Sequence, residues 1–175
     1  VEVRDLFSAT PARLKFLKSE RAETMAVTDV VRRLAMAHPE VGVTLQTGEK
    51  RPVVYPRGER SSSAWLERVG AVMGREFMAD ALEVSGGGSG ALGPMRVFGF
   101  IGLPTLHRPD SMQQFLFVNG RSVKDKLLIG AIRAAYGDLI PRGRSPLLAL
   151  FLDVAPPDVD VNVHPANAEV RFRDA

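Results

Sequence analysis

Several residue groups in this 175-residue chain are of types that do chemistry, and their spacing decides how far each goes. Ser85-Gly-Gly-Gly-Ser-Gly90 is dense enough in glycine for backbone amides to approach a phosphate. A phosphate cradle also needs a helix N-terminus after the glycines, usually opening with Lys-Ser or Lys-Thr. Here residues 95–101 follow with strand character and no such pair, so the run reads as a flexible hairpin tip between strands at 82–84 and 95–101. Ser89 sits in Gly87-Gly-Ser-Gly-Ala91, which departs from the nucleophile elbow Gly-x-Ser-x-Gly at its last position. His38, His107 and His164 lack metal-ligand spacing and read as helix terminators or turn residues. Glu20 and Glu23 suit the first turn of a helix. None of these groups makes a complete active site.

Charge distribution says more. The chain carries +3 overall, too little to identify a partner, but residues 119–144 hold Arg121, Lys124, Lys126, Arg133, Arg142 and Arg144 against only Asp125 and Asp138. That window is +4, which leaves −1 for the rest. A local basic surface is the electrostatic footprint of phosphate-backbone contact; a solvated helix face explains it equally well. Lys124 and Lys126 fall at a helix start, where a cation opposes the helix dipole at a cost of a few tenths of a kcal/mol. A placement with a cost hints at a use.

The elements that must carry these residues follow from pattern. Thr10-Pro11 is an N-cap and N1 pair, predicting a short helix to about Leu17. A longer helix is predicted over 19–37, with Met25, Val27, Val30, Val31, Leu34 and Ala35 inward and Arg32 and Arg33 outside that stripe. His38-Pro39 ends it. Alternation at 41–45 and 51–55 predicts a hairpin, and Ser61–Ser63 caps a helix to about Met73 with Trp65, Leu66, Val69 and Val72 inward. Asn119-Gly120 between 113–118 and 121–123 is the strongest hairpin signal. A helix over 125–136 should face Leu127, Leu128, Ala131, Ile132 and Ala135 to the core. Strands follow at 147–154, 159–163 and 169–172. This order predicts an α+β fold, a mixed β-sheet with helices on one face.

Composition is consistent with a cytoplasmic globular protein. With 45% apolar and 25% charged residues, a chain of this length buries about 70% of its unfolded surface and needs no staple. It has no Cys, which removes disulfides, thiol catalysis and cysteine-based zinc sites. No apolar run reaches the ~18 residues of a membrane span. The opening Val-Glu-Val-Arg-Asp looks like a strand cut in mid-course, so an excised piece of a longer protein is expected.

Three stretches together carry a resemblance. They are residues 5–18, with Leu6-Phe-Ser-Ala-Thr-Pro-Ala-Arg13, residues 117–128, with Val118-Asn-Gly-Arg121, and residues 158–173, with Asp158-Val-Asp-Val-Asn-Val-His-Pro-Ala-Asn-Ala-Glu-Val-Arg-Phe172. In order and along almost the whole chain, they resemble the MutL family of DNA mismatch repair ATPases; residues 50–108 contribute least. The resemblance implies that 1–38 is the C-terminal edge of a GHKL-type (gyrase/Hsp-type) ATPase domain. It implies that 39–175 is a transducer domain, with the fold of the second domain of ribosomal protein S-five. The Glu-x-x-x-Asn and Asp-x-Gly-x-Gly motifs of that ATPase are missing from the chain. The piece alone is therefore expected to be no enzyme and to hold no cofactor, with ATP and magnesium belonging to the intact protein.

By the same resemblance, Asn167, Asn162 and His164 are nucleotide-sensing residues. Asn167 stands where the family pattern has a lysine that reaches the γ-phosphate, and Ala9 stands where it has Asn. Lys126 matches a basic position facing the DNA groove, with Arg121 and Lys124 as neighbours and Arg133, Arg142 and Arg144 completing the surface; a salt bridge anchoring the hairpin is the rival reading of Arg121. Expected partners are DNA, contacted weakly and without sequence preference, the mismatch-recognition protein MutS, and a nicking endonuclease or helicase. The parent is expected to be a homodimer, this piece a monomer, and the location cytoplasmic at the nucleoid. One alternative is an interaction module that docks such partners through the same surface with negligible DNA affinity. A weaker one is a ribosomal-type RNA-binding domain.

Overall fold

A computed structural model describes residues 4–59, 61–90, 93–155, 159–160 and 171–172. Helix α1 (Pro11–Leu14) is shorter than predicted, because Phe16 and Leu17 close i→i+3 turns instead of continuing it. Helix α2 (Glu20–Ala37) starts at Ser19, whose side chain accepts from the Ala22 amide, and ends at His38. The hairpin β1 (Val43–Leu45) and β2 (Val53–Tyr55) follows, then α3 (Ser62–Met73), capped by Ser61 through the Ala64 amide. Gly74, at φ +92°, lets a second helix begin at once: α4 (Arg75–Asp80), which the periodicity did not reveal.

The main sheet has the order β3-β4-β9-β6-β7, from β3 (Ala81–Gly90), β4 (Gly93–Gly102), β6 (Gln114–Val118), β7 (Arg121–Val123) and β9 (Leu148–Val154). Only β6 and β9 run parallel, as a crossover through α5 (Lys126–Tyr136) requires. Small pairs β5 (His107–Arg108) with β8 (Ser145–Pro146), and β10 (Val159–Asp160) with β11 (Arg171–Phe172), complete the order. The glycine run overturns its hairpin-tip reading. It continues β3, pairing Gly86 with Val97, Gly87 with Arg96 and Gly88 with Met95.

Period-two alternation divides the sheet residues between two cores. Phe115, Phe117, Ala149, Phe151 and Phe100 meet Met36, Val69 and Phe77 from α2, α3 and α4. On the other face, Leu116, Val118, Leu148 and Leu152 meet Ile132, Leu128, Ile129 and Tyr136 of α5. The α+β class and mixed sheet are as expected, and helices α2, α3 and α4 share one face. Helix α5 covers the other, because β6 and β9 are apolar at consecutive positions and so need cover on both sides.

Two inward stripes also differ from expectation. In α2 only Ala35, Met36 and Ala37 are buried, while Met25, Val27, Val30 and Leu34 are about half exposed. The helix reaches the core with its last turn only. In α5 the inward phase is Leu128, Ile129, Ile132 and Tyr136, leaving Leu127, Ala131 and Ala135 outside.

Arg68 ties these layers together. It is only 4% exposed, and its guanidinium donates to five backbone carbonyls: Ala35 and His38 at 2.6 and 3.4 Å, Pro39 and Val41 at 3.0 and 3.1 Å, and Pro56 at 2.6 Å. Burial pulls its pKa below the ordinary arginine value, opposed by Tyr55 and Glu40. Replacing Arg68 by Leu should cost about 3 kcal/mol or more, because several buried carbonyls lose their donors together. Arg68→Lys should recover only part, since an ammonium has three donors and no planar fork. Thermal unfolding measures both, and a Lys variant as stable as the wild type would overturn this account.

Candidate nucleic-acid interface

The basic window begins at the β6–β7 turn. Asn119 and Gly120 hold φ values of +49° and +76°, the left-handed pair of a two-residue hairpin. The Asn119 side chain then clamps the turn to the end of β9, donating to the Val154 carbonyl at 3.0 Å and accepting from the Val154 amide at 2.9 Å. Because β7 is the sheet's outer strand on this side, Arg121 stands exposed at its start, opposite Val118. Lys124 and Lys126 flank Asp125, the N-cap of α5, which accepts from the Leu128 amide at 2.9 Å. That carboxylate offsets the unfavourable placement of two cations at the positive end of the helix.

All six basic side chains are exposed, and among the described residues none pairs with a carboxylate. The hairpin is anchored by Asn119, with no ion pair at Arg121 among the described residues. The six do not form one cluster. Arg121, Lys124 and Lys126 lie at the N-terminal end of α5, and Arg133 lies two turns on, about 10 Å along the axis and on the side of Lys126. Arg142 and Arg144 come after the helix and a single 3-10 turn at Gly137–Leu139. Arg144 donates to His107 Nδ1 at 2.9 Å, which requires that nitrogen to be unprotonated.

Sequence periodicity missed Arg33, which it placed on the outer side of α2. Its side chain, 11% exposed, is ion-paired to Asp29 at 2.8 Å and lies over the Phe115 ring at 4.8 Å. It also donates to the Ser122 hydroxyl at 3.2 Å, so it joins α2 directly to β7. A cleft of about 170 Å³ between them includes both Arg33 and Lys124 in its lining. Only the packing of α2 against β7 reveals this role.

Asn162, His164 and Asn167 lie outside the described residues. The glycine run of β3 is followed by β4 and no helix N-terminus, so it is not built as a phosphate cradle. Among the described residues no three His, Asp or Glu side chains are arranged to hold a metal ion, and no helix is long and apolar enough to cross a membrane.

A mixed sheet with helices on both faces defines an α+β domain, and among the described residues its basic margin makes no ion pair with a carboxylate. A family model described as "DNA mismatch repair protein, C-terminal domain" matches residues 69–175. The chain belongs to the MutL family of DNA mismatch repair proteins. It is 55% identical over 174 residues to DNA mismatch repair protein MutL of Azorhizobium caulinodans, covering 99% of this chain and 27% of that protein. MutL of Beijerinckia indica is 54% identical over the same length, and MutL of Rhodopseudomonas palustris 52% identical over 175 residues, 28% of its length. The chain thus spans little more than a quarter of these relatives. A solved structure titled as the N-terminal domain of a DNA repair protein shares the fold, with a TM-score of 0.72 at 22% identity, over 95% of this chain and 53% of that one.

The C-terminal end of α5 is fixed by Tyr136, whose hydroxyl donates to the Gly102 carbonyl at 2.8 Å. Burial pushes its pKa up to about 12 from an ordinary value of 10.0. The neutral phenol is the stabilising form, so its contribution is complete below pH 10 and lost as pH rises through about 12. Tyr136→Phe should cost about 1 kcal/mol at neutral pH. Denaturant titrations from pH 8 to 12 should show that difference shrinking at the alkaline end; a constant difference would place the hydrogen bond elsewhere.

Proposed function

We propose that this region couples ATP-driven closure of the intact mismatch repair protein to DNA and to partner proteins, and contacts DNA weakly and without sequence preference. Its carrying observation is the set of exposed basic side chains around the start of α5, with no carboxylate partner among the described residues. Contacts of this kind go to phosphates and carry no sequence information. In this reading residues 1–38 are the edge of the ATPase domain and 39–175 the transducer. The Arg33–Ser122 link supports it, since it would pass a movement of α2 to β7 and hence to Arg121 and Lys124. The half-exposed Val27, Val30 and Leu34 of α2 fit a helix that packs on the rest of that ATPase domain. ATP and magnesium, dimerisation, and work beside MutS and a nicking endonuclease or helicase belong to the whole protein, in the cytoplasm at the nucleoid.

Duplex DNA binding, followed by fluorescence anisotropy at 25 and 150 mM salt, tests the DNA contact. With three phosphates neutralised, log K should fall against log salt with a slope of about −2.7. Lys124→Glu/Lys126→Glu should abolish the binding. Salt-insensitive binding, or full binding by the double variant, would instead favour a protein-docking surface.

Asn167 takes the place of a lysine directed at the γ-phosphate, and electrostatic stabilisation of a phosphoryl group in transfer is worth several kcal/mol. Slow ATP turnover is therefore expected of the parent. Asn167→Lys in the full-length protein should raise kcat about tenfold or more; an unchanged rate would remove Asn167 from the nucleotide site.

A further inference from the structure

Asn119 carries the left-handed φ of the β6–β7 turn, which Gly or Asp would carry as well. Its side chain does something the turn does not require. Both amide atoms leave the hairpin and meet the last residue of β9, donating to the Val154 carbonyl at 3.0 Å and accepting from the Val154 amide at 2.9 Å. The main-chain amide of Asn119 adds a third bond, to the Leu152 carbonyl at 2.8 Å. Val154 and Leu152 are buried in the core beneath α5, so the turn is pinned to a fixed part of the sheet.

Separate devices therefore hold the cations of the margin. Lys124 and Lys126 take their places from Asp125 and α5. Arg121 belongs to β7, a strand of three residues that pairs only with Leu116, Phe117 and Val118 at the outer side of the sheet. A hairpin this short is marginal by itself. Asn119 ties it down two residues ahead of Arg121, and one residue after Arg121 the Ser122 hydroxyl accepts from Arg33. The Arg121 side chain is exposed and makes no ion pair with a carboxylate among the described residues, so its placement follows the backbone that carries it.

We propose that Asn119 is a positioning residue for phosphate contact by Arg121: it registers the turn on the end of β9, and a phosphate bound at Arg121 in turn holds Asn119 on Val154. This role rests on the DNA contact proposed above and adds to it a neutral residue outside the cationic set. Linkage makes the two effects equal. The factor by which loss of the clamp weakens DNA binding is the factor by which DNA favours the clamped form. β9 ends at Val154, four residues ahead of the Asp158 that opens the third family stretch. A displacement of the end of β9 therefore reaches Arg121 through this pair of side-chain bonds, and DNA at Arg121 acts back on the end of β9 by the same route.

Asn119→Gly in the intact 175-residue chain is the test, because glycine keeps the positive φ and removes only the clamp. Circular dichroism verifies that the variant folds. In anisotropy with duplex DNA, Asn119→Gly should bind about fivefold more weakly. Its salt slope should shrink by about 0.9, the share of one phosphate. Arg121→Ala should show the same slope, and adding Asn119→Gly to it should weaken binding no further, as expected of two residues acting through one contact. In hydrogen exchange the Val154 amide should slow when DNA is added to the wild type and stay fast in Asn119→Gly. An unchanged slope, additive losses in the double variant, or Val154 exchange indifferent to DNA would each overturn the proposal and leave the DNA contact standing. A wild-type chain that binds no duplex at low salt would remove both.

Discussion

A guanidinium buried to 4% exposure with five carbonyls around it sets the geometry at the join between the helical leader and the sheet domain. The segment leaving α2 carries four of those carbonyls, at Ala35, His38, Pro39 and Val41, and Pro56 after β2 supplies the fifth. Residue 39 is proline, so the Ala35 carbonyl lacks the amide that would follow it in a helix, while the His38 and Pro39 carbonyls also accept from the Val41 and Gly58 amides. A single planar side chain from α3 satisfies them together. The desolvation that depresses the Arg68 pKa is offset by this density of acceptors, with Tyr55 and Glu40 adding to the favourable side. Met36 and Ala37 enter the core beside it, so the path of the chain and the packing of α2 on the sheet are fixed by one constraint.

From that join the two faces and two edges of the sheet take different work. The face under α2, α3 and α4 holds the aromatic core of Phe98, Phe117 and Phe151, whose stacked rings run across β4, β9 and β6. The face under α5 is aliphatic, and α5 is held at its start by Asp125 and near its end by Tyr136. A helix fixed at both ends presents the flanking cations in a constant geometry. The opposite edge is the ten-residue, glycine-rich β3, whose outer side pairs with no described strand.

How much of this was legible depended on the range of the interaction. Asn119-Gly120 announced its hairpin because the turn requires two left-handed residues in sequence. Ser19, Ser61 and Asp125 announced helix starts because each accepts from an amide three residues ahead. The glycine run misled, since glycine weakens strand propensity and only the ten-residue partner β4 draws it into the sheet. Helix α4 was hidden because six residues span too few turns for a periodic stripe. For the basic margin, the sequence listed its residues and an excess charge; their separation by the length of α5 became visible only with the helix in place.

The sequence by itself determined the family, through motifs that run in order along the chain, and with it the helix caps, the tight turn and a mixed α+β fold. These depend on local stereochemistry and on residue identity. The tertiary structure decided which apolar stripes are buried, that α5 takes the second face, that Arg33 points to β7 and Arg68 inward, and that one sheet edge stays open. Each of those outcomes joins residues about 10 to 90 positions apart, and an interaction of that range leaves no period or spacing in the sequence, because its energy depends on where the intervening chain has folded.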